Sequence, residues 1–357
     1  MDTHTALQDD NLWQVDHPVL RIIRERRASG SKPGAREDGD RAKVGLAVEG
    51  GGMRGVVSAA MLSALEDYGF TSAFDAVYGC SSGAINSAYF LAGKTWYPVS
   101  IYYDDLTSSQ FISFRRGLSG GNVLNLEYAF EEIMEAWNPL DYERVIESPI
   151  PLMVAVTNVD SQRTELARGF TNRSQLKSAL RASAWLPVGI RGTTIFNGYR
   201  AVDGGVLTAL PFRLALMDDC THVFSVSTRP MNRPEPGFSL MQRFTCWYLE
   251  RIENGLGKGY LGAIRQKYAD QVMLSEQRIS PRKDEPYVLD LAPLPGVEEV
   301  KRHEVRTQKL IDAARESYAL MYCALEGRPV SLLQVRRIHA IPKLTIVERD
   351  HGRPTGA

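Results

Sequence analysis

Three short stretches of this chain combine residue types that could do chemistry. Gly79-Cys80-Ser81-Ser82-Gly83 has the form G-x-S-x-G. Between a strand and a helix, that spacing makes a sharp turn that lifts a serine Oγ above the sheet, with small flanking residues leaving room for it. Glu49-Gly50-Gly51-Gly52-Met53-Arg54-Gly55 follows an apolar run and precedes a helical pattern. Glycines there let backbone amides approach an anion beside the positive end of a helix. That anion is either a phosphate or the transient oxyanion of acyl transfer. A serine nucleophile also needs a base. Of the 6 histidines, His222 could lead a strand and His303 could lie in a helix, and neither sits in a recognised catalytic context. Asp203, in Ala201-Val202-Asp203-Gly204-Gly205, is the better candidate, although an Asp before two glycines also suits a simple turn.

Each stretch has a plainer reading. Ser81 or Ser82 could merely cap a helix. Gly50, Gly52 and Gly55 also satisfy G-x-G-x-x-G, the dinucleotide fingerprint of a nucleotide-binding protein or oxidoreductase. That fingerprint wants an acidic residue at the end of the second strand, which instead ends at Tyr78-Gly79-Cys80-Ser81, with Asp75 at its beginning. The order Ser81, Asp203, His222 would also suit a Ser–Asp–His triad. Ala88 to Thr95 loosely fits a P-loop, but it continues an apolar helix that Gly93 ends. Ser174-Gln175-Leu176-Lys177 fits S-x-x-K without its S-D-N companion, so a capping role is expected for Ser174. No H-E-x-x-H or EF-hand pattern occurs, so no metal and no cofactor are expected.

The elements that must position these residues follow from hydrophobic patterning. Val44 to Val48 is a continuous apolar run, as in a strand buried on both faces. Val56 to Tyr68 has helical periodicity ended by Gly69. Phe74 to Tyr78 reads as a strand and Ala84 to Leu91 as a helix. This alternation predicts an α/β fold with a parallel sheet. Further strands are predicted at Leu152 to Val156, Thr193 to Phe196, Val223 to Val226 and Tyr287 to Leu291. Further helices are predicted at His17 to Arg27, Leu124 to Trp137, Arg173 to Ser183, Leu240 to Gln271 and Val300 to Leu325.

Composition sets the frame. The chain has 357 residues, 44% hydrophobic and 24% charged, which suits a globular protein with a sizeable core. With 42 basic and 42 acidic residues the formal net charge is +0, so it is not built to coat nucleic acid. The 4 cysteines are far apart and form no CxxC pair. No apolar run reaches the ~20 residues of a membrane-spanning helix, and no secretory signal is evident, so a cytoplasmic protein is expected. The expected organisation is an exposed, partly flexible extension over 1–42, a catalytic core over 43–230, a portion over 231–350 that completes or caps it, and a frayed tail over 351–357.

Taken in order, Glu49 to Gly55, Gly79 to Gly83 and Asp203 to Gly205 resemble the motifs of the patatin-like phospholipase family, and the resemblance covers roughly 43–228. Ala182-Ser183-Ala184-Trp185-Leu186-Pro187 is similar to the family's segment before the Asp-Gly-Gly strand. Glu49 departs from the family, where Asp is frequent. The resemblance implies a three-layer α/β/α fold with a central, mostly parallel sheet. It implies a Ser81–Asp203 dyad without histidine, an oxyanion hole at Gly50, Gly51 and Gly52, and supporting roles for Arg54, Gly55, Gly79, Gly83, Gly204 and Gly205. Arg54 would steady the loop or bind a substrate phosphate. The implied activity is acyl-ester hydrolysis of lipids, of phospholipase A or lysophospholipase type. Met241, Phe244, Trp247, Tyr248 and Ile252 have near-helical spacing. They would pack on the sheet, line an acyl cavity or touch a bilayer surface transiently. Arg21, Arg24, Arg26 and Arg27 would add attraction to anionic lipid.

Overall fold

The computed structural model describes residues 12–231 and 237–329; the frayed tail expected at 351–357 lies outside them. The chain runs through α1 (Pro18–Ser29), β1 (Val44–Val48), α2 (Val56–Asp67), β2 (Ala76–Cys80) and α3 (Ser82–Leu91). A helical excursion follows: α4 (Trp96–Asp104), α5 (Phe114–Leu118), a π-helix (Tyr128–Trp137) and α6 (Tyr142–Ile146). Then come β3 (Leu152–Asn158), β4 (Arg163–Ala167), α7 (Arg173–Ser183), β5 (Thr194–Phe196), β6 (Tyr199–Asp203) and α8 (Phe212–Met217). The last elements are β7 (His222–Val226), α9 (Leu240–Ile252), α10 (Leu256–Ile279), β8 (Tyr287–Leu291) and α11 (Thr307–Leu325).

The eight strands form one mixed, mostly parallel sheet in the order β5-β6-β3-β2-β1-β7-β8, with β4 paired to β3. Every residue of β1, β2, β3 and β7 is buried, as continuous apolar runs require of strands covered on both faces. The two faces alternate along β1. Val44, Leu46 and Val48 join the large core beneath α2, α3, α7 and α11, whereas Ala47 joins a smaller core under α8 and α10. The result is the three-layer α/β/α architecture.

Register on β3 brings two distant parts of the chain together. β2 pairs with β3 up to Cys80↔Ala155, and β6 pairs with it from Val156↔Asp203. β4 pairs with residues 154–158 of β3 and so occupies the opposite edge. β6 therefore takes over the edge that β2 vacates, running antiparallel, so that its last residue meets the end of β2.

Several predicted elements differ. The second strand lies two residues later than expected, because Asp75 accepts the Val44 N–H at 2.7 Å instead of pairing as strand. The long helix expected over 240–271 is two helices. The Glu250 carboxylate accepts the N–H groups of Gly255 (2.7 Å) and Lys258 (2.8 Å) and so starts a new helix at the break. The final helix begins at Thr307, not Val300, and residues 292–306 run as an irregular strap. The exposed segment near residues 30–42 lacks a helix but is tied down. Arg26, 2% exposed, pairs with Asp40 and Asp75, and Arg36 also pairs with Asp75. Arg24 donates to the Leu325 and Ala324 carbonyls and Arg27 pairs with Glu326, so Arg24, Arg26 and Arg27 hold the fold, and Arg21 alone of the four stands exposed, beside Glu25.

Candidate active site

Ser81 is the first residue after β2 and sits at φ +56°, a left-handed conformation unfavourable for a residue with a Cβ. It occupies the N-cap position of α3, yet its side chain makes no capping bond. The helix-cap explanation therefore does not account for it. The turn is enforced from outside: Ser81 donates its N–H to Ser183 Oγ (2.8 Å), and that hydroxyl donates to the Ala155 carbonyl (2.7 Å). Gly79 packs on Ala84 and Gly83 on the Val48–Glu49 main chain, so β1, β2 and α3 close tightly around the turn.

The glycine loop lies alongside, because β1 and β2 are parallel with Val48 opposite Gly79. A Cβ on Gly50 would stand 2.3 Å from the Cys80 carbonyl and 2.8 Å from Ser81 Cβ, so only glycine lets the loop pass the turn. Gly51 donates its N–H to Ser82 Oγ at 2.9 Å, a bond that ties loop to helix and occupies that amide. Gly52, at φ +60°, lines a cavity together with Ser81 and Ser82. Asn86 donates to the Gly55 carbonyl (2.9 Å) and accepts from the Tyr102 hydroxyl (3.2 Å), bracing the end of the loop. Burial pushes that tyrosine up to about 12.

Arg54 points inward. It is 2% exposed, donates to Thr228 Oγ1 at 3.0 Å, and pairs with Glu299 at 2.9 Å. Of its two expected roles, it steadies the loop. Glu49 anchors the other end: its Oε2 accepts from the Thr228 N–H (2.7 Å) and hydroxyl (2.9 Å), and its Oε1 pairs with Lys267. Burial alone would raise the Glu49 carboxyl, but Lys267, Arg54 and Arg229 outweigh it and hold the group at about 2. Burial lowers Lys267 to about 8 despite that partner.

Asp203 ends β6 and is 4% exposed. Its N–H donates to the Trp185 carbonyl (2.9 Å), and its carbonyl accepts from the Thr157 hydroxyl (2.9 Å). Oδ1 accepts the Gly205 N–H at 2.8 Å, the turn-forming role expected of Asp before two glycines. Gly204 packs on the Ala155 carbonyl, where a Cβ would come within 2.2 Å. Oδ2 is buried without a hydrogen-bond partner. Burial raises the Asp203 pKa; a hydrogen-bonding pull from the Ser81 side chain, the Gly205 amide and the charge of Arg302 only partly offset it. The ends of β2 and β6 thus bring Ser81 and Asp203 side by side.

The cavity beyond Ser81 has about 700 Å³ of empty space, its open mouth included. Ile85, Ile101, Leu106, Phe111, Phe130 and Ile133 are among its walls, and no charged side chain lines it. That largely apolar lining suits an acyl chain. His222 is not near. It opens β7 opposite Val44, four residues (~13 Å) from the strand ends that carry the site, and burial lowers it to about 4. His303 lies on the strap with its ring edge-on to Phe114. Gly93, at φ +67°, ends the helix of the loose P-loop match, and Asn172, not Ser174, caps α7. Among the described residues no group of His, Cys, Asp or Glu could hold a metal ion.

Sequence reasoning left Ser183, Thr157, Asn86, Tyr102 and Lys267 without roles. Only Ser183 lay in a stretch that had drawn attention, next to Trp185.

Residues 46–216 match the family model described as patatin-like phospholipase, and this segment is a patatin-like phospholipase domain, of a family of lipid acyl hydrolases. Over 222 residues the chain is 23% identical to the uncharacterized protein YjjU of Escherichia coli (strain K12), covering 61% of this chain and 58% of that protein. The chain thus spans less than two thirds of that relative's length. Among solved structures, VipD from Legionella pneumophila superposes with a TM-score of 0.45 at 14% identity, covering 80% of this chain and 66% of that one.

Proposed function

We propose that the protein is a serine acyl hydrolase of lipid esters, of phospholipase A or lysophospholipase type, working through a Ser81–Asp203 dyad. The observation that carries this reading is the pairing of a strained, non-capping Ser81 with the unpartnered Oδ2 of buried Asp203, at the head of an apolar cavity.

In this mechanism an acyl chain occupies the cavity and its ester carbonyl rests over Ser81. Ser81 Oγ attacks the carbonyl carbon as Asp203 takes the hydroxyl proton. The oxyanion is stabilised by the amides of the glycine loop and the start of α3. With the Gly51 amide donated to Ser82, Gly52 and Ser82 are the donors of choice, and Gly50 serves mainly to let the loop approach. Asp203 returns the proton to the departing alkoxide, leaving acyl-Ser81. It then takes a proton from water as the water attacks the acyl group, and Ser81 regains its proton on release of the fatty acid. The raised pKa of Asp203 makes it a better base for this cycle than an ordinary carboxylate.

No helix among the described residues is long and apolar enough to cross a membrane. Met241, Phe244 and Trp247 of α9 are 63%, 47% and 50% exposed and line neither the core nor the cavity. Phe244 stacks on Trp247 and Arg251 covers the Trp247 ring. This face supports transient bilayer contact. The decisive experiment is labelling with a fluorophosphonate followed by peptide mass spectrometry, with product analysis on a mixed lipid extract. The label is expected on Ser81, and fatty acid release is expected to vanish in Ser81→Ala. Labelling elsewhere, or lipid turnover indifferent to Ser81→Ala, would falsify the assignment.

A further inference from the structure

The strap over residues 292–306 crosses the glycine loop. The Arg302 carbonyl accepts the Met53 N–H at 3.1 Å, and a Cβ on Gly52 would come within 2.7 Å of that same oxygen. Arg302 is thus seated on the loop residue that lines the cavity beside Ser81. His303, next along, packs edge-on to Phe114 with ring centroids 5.6 Å apart.

The acidic groups of this strap already have cations. Glu299 takes Arg54 and Arg229, Glu304 takes Arg306, and Glu298 pairs with Lys309 and Arg306. The Arg302 side chain is exposed, and among the described residues it has no ion pair or hydrogen bond. Its charge nevertheless reaches inward: Asp203, Cys80 and Tyr260 all feel it. The cavity itself carries no charged lining residue. An apolar interior with an exposed arginine whose main chain and Cβ sit against Gly52 at its rim fits an amphiphile with an anionic head, and a planar fork of donors fits phosphate in particular. Arg54, the basic residue within the motif, is buried against Glu299 and Thr228 and does not serve this purpose.

We propose that Arg302 forms a headgroup subsite, binding the phosphate of a phospholipid or lysophospholipid whose acyl chain enters the cavity. The assignment rests on the hydrolase reading for the chain's orientation, but it is tested by binding alone. The Ser81→Ala protein is titrated calorimetrically with dodecylphosphocholine and with dodecyl maltoside, each below its micellar concentration, and with inorganic phosphate. Dodecylphosphocholine is expected to bind about tenfold tighter than the uncharged detergent, as a charge-assisted contact provides. That preference is expected to disappear in Ser81→Ala/Arg302→Ala and to persist in part in Ser81→Ala/Arg302→Lys, with folding checked by circular dichroism. Inorganic phosphate is expected to compete only weakly. No preference in the Ser81→Ala protein, or one that survives Arg302→Ala, overturns the proposal. Phosphate binding as tightly as dodecylphosphocholine also overturns it, in favour of a free-anion site. Turnover of phosphatidylcholine and of a neutral diacylglycerol by the unmodified protein is measured separately. If neither is hydrolysed the hydrolase reading fails, while the detergent preference still decides the role of Arg302.

Discussion

Two parts of the chain build one site by different means. The patatin-like domain, residues 46–216, sets Ser81 and Asp203 with main-chain geometry: glycines at close crossings, and neutral hydrogen bonds from Ser183, Trp185 and Thr157. The part after residue 237 supplies charge. Lys267 of α10 grips Glu49, Glu299 of the strap grips Arg54, and Arg302 stands over the loop. The first part holds the two proposed reacting groups at fixed positions, and the second holds the glycine loop at both ends with buried ion pairs. Neutral bonds tolerate a change of pH that buried pairs do not. The two halves should therefore fail differently.

The largest effect belongs to the first half. Ser81→Ala is expected to lower turnover of a p-nitrophenyl ester by on the order of 10⁴-fold or more while leaving the melting temperature intact. Asp203→Asn is expected to cost about 10²- to 10⁴-fold, the range of general-base catalysis. Its stability should move the other way. Because burial raises the folded-state pKa of Asp203, the stability it contributes is full below its unfolded value and is lost as pH rises through the raised value. Thermal melts at pH 5 and pH 8 should show Asp203→Asn gaining on the wild type as pH rises. A gap that shrinks would mean the carboxylate is stabilising as an anion. The same raised pKa places the acidic limb of the rate profile above the ordinary Asp value of ~3.9.

In the second half the prediction concerns stability first. Lys267→Met leaves Glu49 without its nearest cation and is expected to cost about 3–5 kcal/mol in urea unfolding. Adding Glu49→Gln should recover a large part. A double variant no better than the single one would show that the two do not act as a pair. Trp247→Glu should weaken sedimentation with anionic vesicles, most at low salt, and leave hydrolysis of a small water-soluble ester unchanged. Full activity on vesicles would return α9 to a purely structural role. His222→Ala should retain most activity, since it opens β7 at the far end of the strands.

The comparison also explains what could be seen in the sequence. β1 was legible residue for residue, because a strand buried on both faces is a continuous apolar run; β8 was legible with the same bounds although Asp290 interrupts its apolar residues. The glycine loop, Ser81 and Asp203 were legible because close approach admits few residue types, and such positions stand out as G-x-S-x-G and Asp-Gly-Gly. β4 escaped notice as a polar edge strand, Arg163-Thr164-Glu165-Leu166-Ala167, with no alternation to betray it. β6 has a local signal in Asn197-Gly198, both at positive φ in a two-residue hairpin turn that returns the chain from β5. Lys267 lies 218 residues from Glu49, and nothing local marks one lysine of a helix as buried. A charge clamp is a tertiary fact, and a glycine crossing is nearly a local one.

Ser183 and Trp185 stand two residues apart at the end of α7. One holds the main chain of Ser81 and the other the main chain of Asp203. Mechanically this is a yoke. The proposed nucleophile and the proposed base are thus carried by one short segment. The glycine loop is fastened on one side to Thr228, Lys267 and Glu299, and on the other to Ser82 beside the yoked turn. A shift of α7 would thus reach the loop through the Ser81–Ser82 turn and be resisted by the charged anchors at its far side.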